Sequence, residues 1–575
     1  MSVSSETLQA VQRKLEKRAE ERGFHLLSSV SGSQHVFNIL SSCDALPCER
    51  AIEGDNSALA WTGHTVDSSL GLWPDATDLN NWLGNDAAGT LNDLEGVYSL
   101  AHLDRAAGQL LLATDRYGMS PLYVLRQKNA LLFSSSVDLL IYACNAPLTI
   151  NQAAIAEYLH FHHCLADKTF VSEINRLPQG CFARFHIVQG NWRRETYFDY
   201  TSFPTPSIFD SSVAVGELVP ALRHAVKRRL DPRTQIVCLL SGGFDSRSLC
   251  ATLSKLEVPY RTLTTYGDTG NLDDPEGARL VADMLRVENT YLPLPSDYLA
   301  RHWRAKCLMS DFATTMHTWL MPLTLQHRDP LATNLDGIAG DVVLKGLLLR
   351  ESELELLASG DRPGLVEAVL TNHRMGAGFS RVVEPRVGHQ WLEMVRSVVD
   401  AELARGDGHP NTLSAFVLRN RTRRAIGASP CNILAWRLNN LMPFFDFELL
   451  TLGLSVVPDL KLSGDLYREV IAKIVPELND VPSSNDKEWP SNFPRRTRPR
   501  YCTADGSALH SYLDEIERGR DLMPGIITPA WFEKLREAVR SEPAVRCSVM
   551  HEAQAIGELF FWLSTYADQV SMDFS

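Results

Sequence analysis

The sequence predicts an α/β protein in two parts, an N-terminal α+β sandwich followed by a doubly wound parallel sheet with C-terminal helices. Three observations predict this class. The chain has 575 residues, which is too long for a single hydrophobic core. Short apolar strands joined by hairpin connections fill its first two hundred residues. A repeated strand–helix–strand pattern then begins near residue 236.

Composition and charge exclude several classes of protein. The content of 45% hydrophobic and 22% charged residues is typical of soluble globular proteins. A net charge of −13 argues against a general binder of nucleic acid or anionic membranes. No apolar run approaches the roughly 20 residues of a membrane span, and the N-terminus lacks the apolar core of a secretory signal. The 11 cysteines form no CxxC pair, so we expect reduced thiols and a cytoplasmic protein.

The first two hundred residues are predicted to form a helix and then hairpins. Residues 6–22 are amphipathic, which favours an opening helix. Segments 96–101 and 109–114 are predicted to pair as antiparallel strands, and so are segments 123–125 and 130–134.

Two local clusters resemble metal sites. Residues 160–164 read His-Phe-His-His-Cys, but no carboxylate or second cysteine stands at ligand spacing, so we expect packed or solvated side chains. Cys43 and Cys48 could form a disulfide or a metal clip, and we expect unpaired thiols.

A Pro- and Ser/Thr-rich stretch at 201–207 marks the predicted boundary between a first domain, 1–200, and a second, 208–575. Behind the boundary, a helical stripe leads into the apolar segment 236–240, which reads as a buried parallel strand. The strand is followed by Ser-Gly-Gly-Phe-Asp-Ser at 241–246 and by apolar residues at helical spacing.

This strand–loop–helix is predicted to bind phosphate. Gly242 and Gly243 allow a sharp turn and close approach of a ligand, and the N–H groups of the loop and the helix N-terminus form an anion site. Asp245 supplies an oxygen ligand of the kind that Mg²⁺ prefers. The pattern differs from the GxxxxGK[ST] loop of P-loop enzymes.

The pattern continues after the first helix. Segment 260–267 reads as a strand ending in glycine, a helix begins near residue 274, and 290–294 reads as a third strand. This βαβαβ order indicates a doubly wound sheet, which binds ligands at the carboxyl ends of its strands.

The loop at 241–246 resembles the SGGxDS pyrophosphate loop of ATP pyrophosphatases. Segments 94–100, 114–123 and 133–136 look like the glutaminase domain of asparagine synthetases, and 155–159 and 174–180 like the same family's interdomain region. The resemblance extends to about residue 490. It implies an N-terminal domain of the N-terminal-nucleophile glutaminase type and a synthetase domain of the ATP-pyrophosphatase type.

The resemblance also implies site residues for ATP and Mg²⁺. Asp341, at the end of the glycine-rich segment 336–341, matches the family's second Mg²⁺ carboxylate, opposite Asp245. The family's catalytic lysine matches Lys487 best, with Lys345 as second choice. Tyr266 and Gly267 occupy the positions beside the adenine. The expected nucleotide-binding residues are Leu240, Ser241, Gly242, Gly243, Asp245, Ser246, Tyr266, Gly267 and Gly337.

Four departures from the family pattern bear on the chemistry. Family glutaminases use a cysteine at the mature N-terminus, whereas position 2 is Ser2, a much weaker nucleophile. Ile338 stands where asparagine synthetases have Glu and β-lactam synthetase has a catalytic Tyr, and Val342 replaces a Glu. Leu441 replaces an Arg near the acceptor site. We therefore expect a retained glutaminase fold without glutaminase activity, and a product other than asparagine.

The expected function is an ATP-dependent ligase that adenylates a carboxylate, releases pyrophosphate and forms an amide. Relatives with a degenerate glutaminase, such as β-lactam synthetase and the macrolactam cyclases of lasso peptides, close rings. Ring closure in natural-product assembly is therefore favoured, with a small-molecule or peptide substrate and a precursor-processing protease as partner. Two alternatives stay open: an asparagine-synthetase-like amidotransferase supplied with ammonia from elsewhere, and an ATP-binding pseudoenzyme that acts as a scaffold.

Overall fold

The structure, a computed structural model, describes residues 5–21, 25–32, 35–41, 51–53, 56–67, 74–127, 130–231, 234–266, 273–326, 332–375, 378–483, 506–541, 546 and 548–572. Several positions singled out in the sequence lie outside these ranges, namely Ser2, Cys43, Cys48, Gly267 and Lys487.

The N-terminal part is built on antiparallel sheets. Six strands pair in the order β12-β11-β6-β5-β4-β3, and β10-β7-β8 form a three-stranded sheet. The strands are β1 (His25–Gly32), β2 (His35–Ser41), β3 (Ala51–Glu53), β4 (Ser57–Asp67), β5 (Leu94–Asp104), β6 (Gln109–Thr114), β7 (Tyr123–Arg126), β8 (Leu131–Ser134), β9 (Leu148–Thr149), β10 (Ile174–Arg176), β11 (Cys181–His186) and β12 (Trp192–Thr196). The helices are α1 (Ser5–Glu21), α2 (Ala76–Asn85), α3 (Ala87–Asp93), α4 (Val137–Ala143) and α5 (Gln152–Phe161).

Strand β6 shows how the six-stranded sheet is packed on both faces. Leu110 and Leu112 join a cluster with residues of the three-stranded sheet. Leu111 and Ala113 join a cluster with Leu79 of α2. This alternation follows from the two-residue period of a strand, and it produces a layered α+β sandwich. Both predicted hairpins are confirmed by the pairing of β5 with β6 and of β7 with β8.

The C-terminal part is built on one parallel sheet in the order β15-β14-β13-β16-β17. Its strands are β13 (Gln235–Leu239), β14 (Tyr260–Tyr266), β15 (Asn289–Pro293), β16 (Ala332–Leu335) and β17 (Asn439–Leu441), and β18 (Val570–Ser571) pairs with β9. The α-helices are α6 (Ser211–Lys227), α7 (Phe244–Lys255), α8 (Asp273–Leu285), α9 (Tyr298–Met309), α10 (Met321–Gln326), α11 (Gly340–Lys345), α12 (Glu351–Ser359), α13 (Arg362–Asn372), α14 (Pro385–Ala404), α15 (Thr412–Val417), α16 (Phe447–Ser455), α17 (Asp465–Ile474), α18 (Ser507–Gly519), α19 (Pro529–Val539) and α20 (Met550–Tyr566).

Helices cover both faces of the parallel sheet. Ile236 and Cys238 of β13 belong to the cluster that contains α7, whereas Val237 packs with Met321 of α10 on the other face. From Ile236 to Leu239 the strand is apolar because both of its faces are covered. The predicted doubly wound sheet with C-terminal helices is thus confirmed.

Short helical turns connect several elements. The π-helical segments Leu418–Ile426 and Ser429–Ile433 follow α15, and the 3₁₀ turns are Tyr200–Ser202, Thr318–Leu320, Leu434–Trp436, Pro443–Phe445, Pro458–Lys461, Pro476–Asp480 and Arg520–Leu522. Of the helices that the structure describes, none is long and apolar enough to cross a membrane.

The histidine cluster at 160–164 is packed into the core. His160 Nε2 lies 2.9 Å from the Leu370 carbonyl, and His162 Nδ1 lies 3.0 Å from Thr315 Oγ1. Burial lowers the pKa of His163 to about 3, so its ring is neutral at neutral pH. The described residues contain no group of three or more His, Cys, Asp or Glu side chains that could hold a metal ion.

Candidate active site

The strand order places two loops at one crevice. From β13 the chain runs outward through β14 to β15, whereas β16 and β17 lie on the opposite side of β13. The connections after β13 and β16 therefore leave the sheet in opposite directions and open a crevice at its carboxyl edge. The predicted Ser-Gly-Gly loop follows β13, and the glycine-rich segment 336–341 follows β16, so both border this crevice.

Internal acceptors already bind the N–H groups of the loop after β13. The N–H of Ser241 donates to Ser246 Oγ (3.1 Å), that of Gly242 to Asp274 Oδ1 (2.9 Å), and that of Gly243 to Ser241 Oγ (3.2 Å). These bonds hold the turn in shape. A phosphate that binds these N–H groups would therefore have to replace side-chain oxygens.

The first turn of α7 adds a second source of positive potential. Gly243 has extended backbone angles at the N-cap, and no side chain among the described residues caps the helix. The N–H groups of the first turn and the helix dipole favour an anion here. The Leu240 N–H donates to the Leu263 carbonyl (2.8 Å), which ties the start of the loop to β14.

The loop after β16 packs directly against Asp245. A Cβ atom added to Gly337 would lie 2.7 Å from Asp245 Cβ, and one added to Gly340 would lie 2.7 Å from Asp245 Oδ1. Ala339 between them has a left-handed backbone with φ 74°. The Asp336 carboxylate accepts the Ile338 N–H at 3.0 Å and stabilises the turn. Only glycine allows this close approach of the two loops.

Asp245 and Asp341 influence each other's charge. Burial and the Asp341 carboxylate raise the pKa of Asp245 well above its ordinary value, and Lys345 acts in the opposite sense. Burial also raises the pKa of Asp341, which the positive charge of Arg421 opposes. Two carboxylates that share a partly desolvated site resist ionising together unless a cation lies between them.

The donor set fits a divalent cation such as Mg²⁺. Asp245 Oδ1 is buried and accepts no well-formed hydrogen bond from the residues that the structure describes. The charged side chains that act on the pKa of Asp245 are those of Asp341, Lys345 and Asp336. Oxygen ligands with net negative charge at the mouth of a phosphate-binding loop suit a hard cation.

Three cationic side chains surround the Phe244 ring at the start of α7. Lys345 Nζ lies 5.3 Å from the ring centroid, and the guanidinium carbons of Arg247 and Arg468 lie at 5.5 and 5.1 Å. Arg247 also donates to the Gly242 carbonyl at 3.0 Å, which stiffens the loop. Lys345, the second candidate for the catalytic lysine, is thus next to the loop.

The other predicted residues are distributed around the crevice. Tyr266 ends β14, is 37% exposed, and packs edge-on against Tyr291 with ring centroids 6.3 Å apart. Ile338 is only 6% exposed and aliphatic, so it offers no group that exchanges a proton. Leu441 is buried in β17.

Sequence reasoning gave no role to two residues that contact the site. The Tyr467 hydroxyl lies beside the Asp245 carboxyl group and within 3.1 Å of Ser248 Oγ. Asp274 binds the Gly242 N–H from the first turn of α8. The Asp-Pro pair at 274–275 predicted the start of a helix, but not the contact of Asp274 with the loop.

Known proteins resemble this chain in two regions. Residues 79–198 match a family model described as a glutamine amidotransferase domain, and residues 217–478 match one described as asparagine synthase. In chain order, the first match contains strands β5 to β12, and the second contains all five strands of the parallel sheet.

Individual relatives are similar over shorter stretches. The carboxyethyl-arginine beta-lactam-synthase of Streptomyces clavuligerus is 27% identical over 269 residues, 44% of this chain and 47% of that protein. A glutamine-hydrolyzing asparagine synthetase of Rattus norvegicus is 29% identical over 220 residues, 35% of each chain. The chain thus spans less than half the length of these curated relatives. Among solved structures, an NMN synthetase from Francisella tularensis is 16% identical over 38% of this chain and 96% of its own, with a TM-score of 0.20.

Proposed function

Because this chain belongs to the asparagine synthetase family, we propose that it is an ATP-dependent ligase that forms an amide from a carboxylate and an amine. In the first step a carboxylate oxygen of the substrate attacks the α-phosphorus of ATP, and an acyl-adenylate and pyrophosphate form. In the second step an amine attacks the acyl carbon, AMP leaves with the bonding electrons, and the amine loses a proton.

One observation carries this proposal. The loop after β13, the N-terminus of α7 and the loop after β16 meet at the crevice where the strand order reverses, and they bring Asp245 next to segment 336–341. This crevice is where doubly wound sheets bind nucleotides. A pair of carboxylates beside an anion-binding loop supports a metal-bound triphosphate better than a neutral ligand.

Different residues of the crevice would have different roles in the adenylation step. Asp245 and Asp341 would hold Mg²⁺, which when bound neutralises phosphate charge. The loop and the first turn of α7 would bind the departing pyrophosphate, and Lys345 would add positive charge beside them. Lys487 remains the other candidate for the catalytic lysine.

The amine is proposed to belong to the substrate, so that the reaction closes a lactam or macrolactam ring. The relative named carboxyethyl-arginine beta-lactam-synthase favours ring closure in natural-product biosynthesis. A protease that processes a precursor peptide would then be a partner, and a cytoplasmic location fits both.

The proposal is tested by ATP–pyrophosphate exchange across a panel of carboxylic acids, each carrying an amine. We expect exchange that depends on both the acid and Mg²⁺, and formation of AMP but not of ADP. Exchange that does not depend on the acid, or ADP as product, would contradict the adenylation step.

A second arm separates ring closure from an external amine. The relatives named asparagine synthetase leave ammonia as a candidate nucleophile. An amide that forms only when ammonium is added would favour that alternative. A cyclised product formed without ammonium supports the proposal.

A further inference from the structure

One acceptor in the loop after β13 comes from a distant part of the chain. The N–H groups of Ser241 and Gly243 donate to the hydroxyl oxygens of Ser246 and Ser241, which belong to the loop itself and to the first turn of α7. The Gly242 N–H instead donates to Asp274 Oδ1 at 2.9 Å, and Asp274 follows Gly242 by 32 residues. The middle N–H group of the loop is therefore bound by a side chain of α8.

The hydroxyl and carboxylate acceptors differ in how they respond to a phosphate. A hydroxyl group both accepts and donates hydrogen bonds, so a serine can turn its O–H towards a phosphate oxygen while it stays in place. An ionised carboxylate only accepts, and its charge repels a phosphate. Asp274 and a phosphate therefore compete for the Gly242 N–H, whereas the two serines need not leave the loop.

The backbone of α8 is fixed beside the loop. A Cβ atom added to Gly277 would lie 2.8 Å from Gly242 Cα, so there is no room for a side chain between the helix and the loop at this point. Three apolar residues of α8 are at most 3% exposed and lie in the same hydrophobic cluster as residues of α7, namely Ala278, Val281 and Ala282. We therefore expect the helix to stay in place when a ligand binds.

The Asp274 side chain, by contrast, can move. Asp274 is half-buried and stands second in α8, which begins at Asp273. Rotation about its side-chain bonds can turn the carboxylate away from Gly242 without moving the backbone of the helix. Rotamer changes of exposed side chains take picoseconds to nanoseconds, so this release is fast compared with catalysis.

We propose that the bond between Asp274 and Gly242 is an autoinhibitory contact. The carboxylate occupies the phosphate-binding loop of the free protein, and the nucleotide displaces it in order to bind. The inference rests on the proposed function, because it takes the loop to be the site of the phosphates of ATP. The apparent affinity for ATP then equals the intrinsic affinity multiplied by the fraction of molecules whose loop is open.

Two other roles of Asp274 predict the opposite effect on binding. If the carboxylate only holds the loop in the shape that ATP requires, its removal weakens ATP binding. If the carboxylate is a further ligand of Mg²⁺, its removal also weakens the binding of Mg-ATP. The autoinhibitory contact alone predicts a variant that is less stable when free and yet binds the nucleotide more tightly.

Isothermal titration calorimetry of the intact protein tests the proposal, with Mg-ATP and Mg-pyrophosphate as probes and without an acid substrate. Asp274→Ala is expected to lower the Kd for both probes about 3- to 30-fold, because a charge-assisted hydrogen bond no longer competes with the phosphate. Asp274→Asn should also lower both Kd values, since its amide does not repel a phosphate. Asp283→Asn, which removes an exposed carboxylate from the same helix, should leave them unchanged.

Thermal unfolding gives a second measurement on the same variants. The Tm of free Asp274→Ala is expected to lie about 1–3 °C below that of wild type, because the Gly242 N–H loses its acceptor. Mg-pyrophosphate at equal concentration should then raise the Tm of the variant by more than it raises that of wild type, because the variant binds the probe more tightly.

An unchanged or higher Kd for both probes in Asp274→Ala and Asp274→Asn, with normal binding by wild type, overturns the inference and leaves the proposed function standing. If Asp274→Ala does not fold, Asp274→Asn decides the question, because its amide oxygen can still accept the Gly242 N–H. Failure of wild type and of both variants to bind either probe would refute the proposed function, on which the inference depends.

Discussion

Asp245 and Asp341 have opposite effects on the protein with and without a cation. Without one, burial and their mutual repulsion raise the pKa of Asp245 and make two charges costly. With Mg²⁺ bound as we propose, the same carboxylates would be its ligands. We therefore expect the two residues to reduce the stability of the free protein in favour of a bound state, as is common at functional sites.

This argument predicts the effect of removing either charge. Asp245→Asn or Asp341→Asn should reduce acid-dependent ATP–pyrophosphate exchange about 1,000-fold, since several kcal/mol of metal-assisted stabilisation is lost. The Tm of the free protein should stay the same or rise. Asp514→Asn, at an exposed position of α18, serves as the control. Normal exchange by either active-site variant would refute the metal assignment.

The Asp336 carboxyl group leads to a prediction about how the stability of the folded protein depends on pH. Burial raises its pKa to about 6, so the folded state holds the proton more tightly than the unfolded chain does. Wild type therefore loses stability as the pH rises from about 4 to about 6. Asn cannot ionise, and its carbonyl can still accept the Ile338 N–H.

Asp336→Asn should thus match wild type near pH 4 and exceed it by about 1–3 kcal/mol above pH 6. Urea unfolding at both pH values measures the difference. A stability difference that does not change with pH would contradict the assignment of the raised pKa.

The sequence identified candidate residues where they lie in local motifs, but not where they come from distant segments. Asp245 and Asp341 stand in short strings that resemble known loops. Tyr467 and Asp274 reach the crevice only through the packing of helices that follow the loop in the chain.

The two loops at the carboxyl edge of the parallel sheet depend on glycine. A Cβ on Gly340 would lie 2.7 Å from both Asp245 Oδ1 and Tyr467 Oη. We therefore expect Gly340→Ala to separate the loops and to lower both Tm and nucleotide binding.

The control for this variant is Gly216→Ala in helix α6. A Cβ there would meet nothing within 4 Å, and its φ is not in the left-handed region. Because alanine favours a helix, this change should stabilise the protein by about 0.5–1 kcal/mol. Thermal unfolding and titration with Mg-ATP compare the two variants. A Gly340→Ala protein that binds Mg-ATP normally would show that the contact between the loops is dispensable.

Strands and hairpins were predictable because their signals are local. The apolar runs of β13 and β6 follow directly from the burial of both faces of these strands. The predicted strand 236–240 is observed one residue earlier, as Gln235–Leu239. The π-helical segment Leu418–Ile426 had no such signal, because its geometry depends on contacts of its arginines with remote residues.

The two parts of the molecule are joined by buried ion pairs. Arg228 and Arg229 come directly after α6. Both form ion pairs with Asp446, which precedes α16, and with Glu95, which lies in β5. Arg229 Nη1 lies 2.7 Å from the Asp446 carboxylate. Burial raises the pKa of Asp446, but the two guanidinium groups outweigh this effect and lower it overall. One continuous hydrophobic cluster also extends from residue 97 to residue 570.

We therefore expect the whole chain to unfold as one unit. Asp446→Asn should destabilise it by about 3 kcal/mol, because buried guanidinium charge loses its partner. Glu448→Gln, which removes an exposed charge nearby, should have little effect. Calorimetry should show a single transition in each protein. Two separate transitions in wild type would refute the coupling between the parts.

The resemblance of the N-terminal part to a glutaminase predicts a negative result. The domain boundaries at 200 and 208 stay predictions. The loss of glutaminase activity also stays a prediction, because Ser2 lies outside the described residues. Incubation of the intact protein with glutamine and Mg-ATP should release no glutamate in steady state. Sustained glutamate release would contradict this prediction and would favour an amidotransferase that produces its own ammonia from glutamine.

The central claim is that the crevice after β13 and β16 holds ATP so that its α-phosphorus is attacked by a carboxylate. The most direct test supplies an active acid labelled with ¹⁸O in its carboxyl group, and the nucleotide product is then examined by mass spectrometry. The claim predicts AMP that carries one ¹⁸O atom from the acid. Unlabelled AMP, or ADP with the label in orthophosphate, would contradict it.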